Sequence, residues 1–346
     1  MPTRTETQRQ AQRQAQRQAA LERDYGLVTQ GAGLLDRSER GKIDVLGEDA
    51  IEYLQGQVTN DIESLEPGQG CYAAILNPKG HVLADLRVLA RGPDDLWLDT
   101  EAVALEAALA DLRMYRIGRR VEIADRTGER ALLSVIGPAS DEVARRALGD
   151  AAVLAAEEHR FVEAELAGDP VLVARTDLGL DFLLDASQVE AATEALIGHG
   201  AAHVSAESAE ILRIEGGRPR YGIDMTAENL PAEVGIVERA VSFTKGCYVG
   251  QEPVARMHYK GRPNRHLRGL RLTAAADAGE PLLAAGKQVG VVTSAATSPA
   301  LGPIALALVR RELAPGDEVA LGDDGRHAQL LELPFERRKM GELPLS

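Results

Sequence analysis

Apolar and polar positions follow three different patterns along the 346-residue chain. The opening stretch TETQRQAQRQAQRQAALERDYG holds no large apolar side chain before Leu21. Gln, Arg and Ala are good helix formers, but a helix without an apolar stripe has nothing to bury. Residues 1–30 therefore read as a helical or disordered tail. An Arg-rich transit peptide, which needs bulky apolar residues on one face, does not fit.

From Lys42 the pattern becomes a mixture of short elements. Ile43 and Val45 mark a strand, and Ile51 and Leu54 sit at helical spacing in a segment that Val58-Thr59-Asn60-Asp61 closes. Residues 71–76 (CYAAIL) and 81–90 (HVLADLRVLA) flank the turn Asn77-Pro78-Lys79-Gly80, which predicts a hairpin. A strand at 96–98, a helix over 101–115 and strands at 121–123 and 132–136 follow, then helices from Pro138, over 187–197 and over 206–214. Mixed elements without strict strand–helix alternation predict an α+β fold. Beyond about residue 266 only short strand-like runs remain, at 267–272, 281–283, 288–293, 304–309 and 318–321. Turns rich in Gly, Pro and Asp separate them, which predicts a small C-terminal β-barrel or sandwich and a boundary near 262–266.

Composition narrows the function classes. There are 39 Lys plus Arg against 53 Asp plus Glu, a formal charge of −14, which argues against direct nucleic-acid binding. One basic strip stands apart from that total: Arg256, Lys260, Arg262, Arg265, Arg268 and Arg271, with His258 and His266 and no acid among them. It reads either as a solvated connection or as a contact for an anion. Two cysteines, Cys71 and Cys247, cannot build a disulfide framework or a self-contained iron–sulfur cage. No apolar run nears the roughly 18 residues of a membrane span, so no membrane partner and a cytoplasmic location are expected. His199 and His203 lie four apart, but Gly198 and Gly200 interrupt any helix there, so no metal site is expected.

The densest chemistry lies in Thr244-Lys245-Gly246-Cys247-Tyr248-Val249-Gly250-Gln251-Glu252. Lys245, two residues before Cys247, is placed to favour the thiolate, the nucleophilic and metal-binding form. A small buried thiol is the other reading of such a cysteine. Gln251 and Glu252 add an amide and a carboxylate.

The run Lys245–Glu252 resembles the KGC[YF]xGQE motif of the YgfZ family, folate-binding proteins of iron–sulfur cluster assembly or repair. Tyr53–Asp61 (YLQGQVTND) and Tyr72–Gly80 (YAAILNPKG) resemble two further segments of that family. Residues 212–224 resemble a stretch shared with the glycine-cleavage T protein, a tetrahydrofolate-dependent aminomethyltransferase. The resemblance covers about residues 35–335. It implies a three-domain ring: a folate-binding part over 31–128 completed by about 205–262, a second α/β part over 129–204, a barrel over 263–336 and a tail over 337–346.

By the same resemblance, Asp85 corresponds to an acid near folate N5, with Ala84 replacing its neighbour. Arg213 corresponds to a folate contact, and Asp181 is left as the acid of a shortened pterin loop. Cys247, Lys245 and Asp85 become the catalytic candidates. Asp85, Asp181, Arg213, Tyr248, Gln251 and Glu252 become the candidates for binding tetrahydrofolate. Implied partners are folate and iron–sulfur proteins or their assembly machinery, with any effect on tRNA modification indirect. One thiolate cannot complete a cluster, so Cys247 would need a partner's ligands or act by thiol exchange. Whether the chain turns over a substrate is left open; aminomethyl transfer is the alternative activity.

Overall fold

The computed structural model describes residues 4–149, 155–323 and 325–336. The expected tail over 337–346 lies outside them. The chain forms two compact units, each built from segments distant in sequence.

One unit comprises residues 1–38, 131–156 and 162–210. Its six-stranded sheet runs, edge to edge, through Ala202–His203, Gly33–Asp36, Arg130–Ile136, Gly179–Asp185, Asp169–Arg175 and Phe161–Leu166. Val143 and Ala144 of the helix Ser140–Leu148, and Ala192 and Leu196 of Val189–Gly198, bury against Leu133, Val135, Val173 and Phe182 of that sheet. The Gln/Arg-rich segment is helical from Arg4 to Gln30. Its last turns are not a free tail. Tyr25 and Val28 are buried, and Asp24 accepts a hydrogen bond from the Ser205 backbone at 2.9 Å. Leu21, Tyr25 and Val28 supply the apolar stripe that the repeat before them lacks. Gly33–Asp36 pairs antiparallel with residues 133–136 of this sheet.

The other unit comprises residues 39–130, 157–161 and 211–346. Its five-stranded sheet has the order Gln69–Leu76, Val82–Gly92, Asp95–Thr100, Gly41–Leu46 and Glu122–Asp125. Tyr53 and Leu54 of the helix Ala50–Gln55 and Ala108, Leu109 and Leu112 of Leu105–Met114 fill one core with this sheet. Residues 265–331 close a six-stranded barrel, with Leu270, Val292, Ala307 and Leu330 inside it. A third core joins the hairpin residues Ala74, Leu76 and Val82 to Met225, Ile236 and Tyr248 and to the barrel's Ile304 and Leu306. The fold is thus α+β with a closed C-terminal barrel.

Candidate functional site

The hairpin pairs Tyr72 with Arg87 and Ala74 with Asp85, which sets Tyr72 and Asp85 diagonally on one face of the sheet. The Tyr72 hydroxyl donates to Asp85 Oδ2 at 2.8 Å, and Thr100 Oγ1 donates to the Asp85 carbonyl at 2.5 Å. Asp85 Oδ1 is enclosed and has no hydrogen-bond partner. Burial pushes the Asp85 carboxyl up to about 6; the Tyr72 hydrogen bond and Arg40 pull it down, and Glu101 pushes it further up. Burial also raises Tyr72 well above the ordinary phenol range, so its hydroxyl stays a donor. Tyr221 is raised by burial and then by the Asp85 charge, which marks it as a neighbour of the same group.

Tyr72 is itself held from behind. The Arg239 guanidinium lies 5.1 Å from its ring centroid and pairs with Glu158. Asn60 Nδ2 donates to the carbonyls of Tyr72, at 2.8 Å, and Arg239, at 3.1 Å. Next to Asp85 runs a chain of charges. Arg87 Nε donates to Asp99 at 2.6 Å, Arg40 bridges Asp99 at 2.7 Å and Glu101, and Arg220 donates to Glu101 at 2.9 Å.

The cysteine segment is built differently from the sequence reading. Lys245 does not serve Cys247: its buried ammonium donates to the carbonyls of Gln55, Val58 and Asn60 at 2.5, 2.7 and 2.8 Å. It thereby satisfies acceptors at and beyond the end of the helix Ala50–Gln55, where the backbone has no helical partners. Burial pushes Lys245 down to about 8. The thiol within its electrostatic reach is Cys71, which burial nevertheless pushes up to about 12. Cys247 is a free thiol and exposed. Val249 N donates to Gly56 O at 3.2 Å and Ser242 N to Thr59 O at 3.0 Å. Gly250 turns at φ +79, and a Cβ there would stand 2.5 Å from Asn77 O. The segments 53–61, 72–80 and 245–252 thus meet in one joint.

The remaining candidates are scattered. Arg213 points into the protein, donating to Asp224 and to Ser294 Oγ, both at 2.7 Å, and to the Arg218 carbonyl. Asp224 is enclosed, also accepting from Thr293 and Ser294. Asp181 lies in the strand Gly179–Asp185 of the other unit, not in a loop, and accepts from Ser134 Oγ at 2.6 Å. Tyr248 is buried, with its ring 5.1 Å from the Lys245 ammonium. Gln251 and Glu252 open the helix Gln251–Lys260, the first half-buried and the second exposed. Within the basic strip, Arg265 pairs with Glu233 and Arg268 approaches Glu332. His199 caps one helix and His203 ends a short strand, so the two do not share a helical face. Sequence reasoning missed Tyr72, Arg40 and Glu101 as neighbours of Asp85, and Arg220 as the partner of Glu101. For Tyr72 a signal existed: the four-residue turn fixes the hairpin register and so its place diagonal to Asp85.

Comparison with known proteins gives the family. Residues 3–245 match the GCVT N-terminal domain and residues 265–335 the glycine cleavage T-protein C-terminal barrel domain. The chain is 32% identical over 330 residues to an aminomethyltransferase of Rubrobacter xylanophilus, covering 93% of this chain and 88% of that one. It is also 32% identical over 333 residues to an aminomethyltransferase of Synechococcus sp. (strain RCC307), covering 91% and 90%. The crystal structure of glycine cleavage system aminomethyltransferase T from Bartonella henselae superposes with a TM-score of 0.82 at 25% identity, over 92% of this chain and 90% of that one. Two domain matches in tandem, near-full-length relatives and the shared fold agree: the chain belongs to the glycine cleavage T-protein family.

Proposed function

We propose that this protein binds tetrahydrofolate at Asp85 and transfers an aminomethyl-type one-carbon unit. The family uses tetrahydrofolate as its one-carbon carrier. The observation that carries the reading is the enclosed Asp85 Oδ1, an acceptor with no donor from the protein, beside an Oδ2 that Tyr72 already occupies. An orphaned acceptor of this kind calls for a ligand N–H. When bound, tetrahydrofolate supplies the amine that takes up the one-carbon unit. Tyr72 and Thr100 fix the Asp85 side chain and backbone, which leaves Oδ1 as the carboxylate oxygen without a partner. With Asp85 near 6, Oδ1 accepts a hydrogen bond at neutral pH and holds a proton in mild acid.

Calorimetric titration of tetrahydrofolate into wild type and D85A tests this. Losing one charged hydrogen bond of ~1.5–3 kcal/mol weakens binding by roughly 10- to 100-fold. Absence of binding to wild type, or equal binding to D85A, removes the reading. Transfer itself is checked by formation of methylenetetrahydrofolate from an aminomethyl-lipoyl carrier.

One observation favours a second reading, support of iron–sulfur proteins as in the YgfZ family. Cys247 stands exposed in the KGCYVGQE segment. An exposed thiol can complete a partner's cluster or exchange with a partner's disulfide. A Cys247→Ser protein that fully restores iron–sulfur enzyme activity in a deletion strain would sink that role.

A further inference from the structure

Of the seven large apolar side chains that stand exposed among the described residues, five gather at one helix and its ends. Four of them are Val103, Met114, Tyr115 and Ile117, the last 92% exposed. The fifth, Ile223, follows Gly222, where an added Cβ would stand 2.7 Å from Val103 Cγ1. The turn Ala102–Ala104 runs directly into the helix Leu105–Met114, and a further turn carries residues 115–118. Ala104, Ala108, Leu109 and Leu112 bury one side of it in the core of the five-stranded sheet. On the opposite side Val103, Ala107, Ala110, Met114 and Ile117 recur at intervals of four, three, four and three. That is the spacing of a seam that packs against a second helix. Val103 and Met114 are 67 and 64% exposed and Ala110 is exposed between them, so no described element of the chain covers the seam.

Charge says what fits against it. Glu106 and Arg113 each precede a seam residue, and neither side chain has a hydrogen bond or ion pair among the described residues. When two such helices run antiparallel with Val103 laid on Met114 and Ala107 on Ala110, position 106 of one meets position 113 of the other. A second copy of this helix therefore complements it: Glu106 meets Arg113 at two places related by a twofold axis. Sliding the copies by one seven-residue repeat either way sets Arg113 on Arg113 or Glu106 on Glu106. A parallel pair sets Glu106 beside Asp111, another acid. The alanines at the centre let the two backbones approach closely. Ile117 extends past Val103 of the other copy, toward the turn that holds Ile223. We propose that this face joins two copies of the chain about a twofold axis, helix antiparallel to helix, with Glu106 of each copy paired to Arg113 of the other. The pairing needs no ligand and stands apart from the folate reading.

The test is sedimentation equilibrium of the full chain from about 1 to about 100 μM, with reductant present so that the exposed Cys247 forms no disulfide. Wild type is expected at twice its 37.0 kDa at the upper end of that range. E106R and R113E each place like charges at both contacts and weaken the dimer by about tenfold or more. Mixed in equal amounts they restore it, because every contact across the pair again joins opposite charges. A misfolded variant gives no such recovery on mixing. Three results overturn the proposal: a wild type that stays monomeric, a dimer that E106R and R113E leave unchanged, or a mixture that associates no more tightly than its components.

Discussion

Replacing Lys245 by Met separates two roles for the residue that precedes the motif cysteine. Met keeps an unbranched stem of similar length and removes only the ammonium, with its three hydrogen bonds of 2.5–2.8 Å to Gln55, Val58 and Asn60. Three charge-assisted bonds at ~1.5–3 kcal/mol each give a gross contribution of roughly 5–9 kcal/mol. Against this stands the cost of burying the charge. Depression of Lys245 from 10.5 to about 8 corresponds to about 3 kcal/mol. The bonds win, and K245M is expected to lose ~2–6 kcal/mol in urea unfolding monitored by circular dichroism. The rate at which a disulfide reagent modifies Cys247 at pH 7 stays as in wild type, because the ammonium is bound to backbone carbonyls rather than to the thiol. C247S, at an exposed position, stays within about 0.5 kcal/mol of wild type. If K245M unfolds at the wild-type urea concentration and its Cys247 reacts more slowly, Lys245 activates the thiol and does not hold the three carbonyls together.

Other perturbations follow from the same geometry. Arg213→Met leaves the enclosed Asp224 without its cation and costs about 3–5 kcal/mol in thermal or urea unfolding; a loss below 1 kcal/mol contradicts the described pairing. Gly250→Ala forces a left-handed residue and a Cβ 2.5 Å from Asn77 O, so it lowers stability by ~1–3 kcal/mol in urea unfolding; an unchanged midpoint contradicts the close approach. Asp85 gives a pH dependence of defined sign. Its folded value, about 6, lies above the unfolded 3.8, so between these values the folded state binds more protons and stability falls as pH rises. The cost is absent below about pH 4 and reaches about 3 kcal/mol above the folded value. D85N removes this component, so its stability relative to wild type rises from pH 4 to pH 7; parallel pH profiles for the two proteins would contradict it.

What the chain reveals by inspection depends on whether an interaction is local. The hairpin around residues 77–80 was legible because turn chemistry and alternation both lie within two dozen residues. The barrel strands were legible because turns punctuate them, although the run at 326–331 was passed over after the Gly- and Asp-rich turn before it. The strand holding Asp181 was illegible for a specific reason. A carboxylate in the middle of GLDFLLD breaks the apolar pattern, and a partner that helps to hold it there, Ser134, lies 47 positions away. The docked end of the N-terminal helix was hidden by the repeat that precedes it. Lys245 misled because spacing in the chain says two residues to Cys247, whereas a long side chain reaches carbonyls 185–190 positions away. Asp85 was found through likeness to a family, but the network of ion pairs beside it was not. Arg40, Glu101 and Arg220 look like ordinary surface residues until the sheet brings them together.

The joint between residues 53–61, 72–80 and 245–252 also bears on how the protein is made. At the end of the helix Ala50–Gln55 and in the loop after it, the carbonyls of Gln55, Val58 and Asn60 accept from a lysine emerging 185–190 positions later. At ~5–20 residues per second, the ribosome delivers that lysine roughly 10–40 seconds after the helix Ala50–Gln55. During that interval the first hairpin waits with Ala74, Leu76 and Val82 uncovered, because their partners Met225, Ile236 and Tyr248 have yet to be synthesised. Nascent chains halted before residue 245 are therefore the protease-sensitive, chaperone-binding species of this protein, and those halted past the joint are the first to resist cleavage.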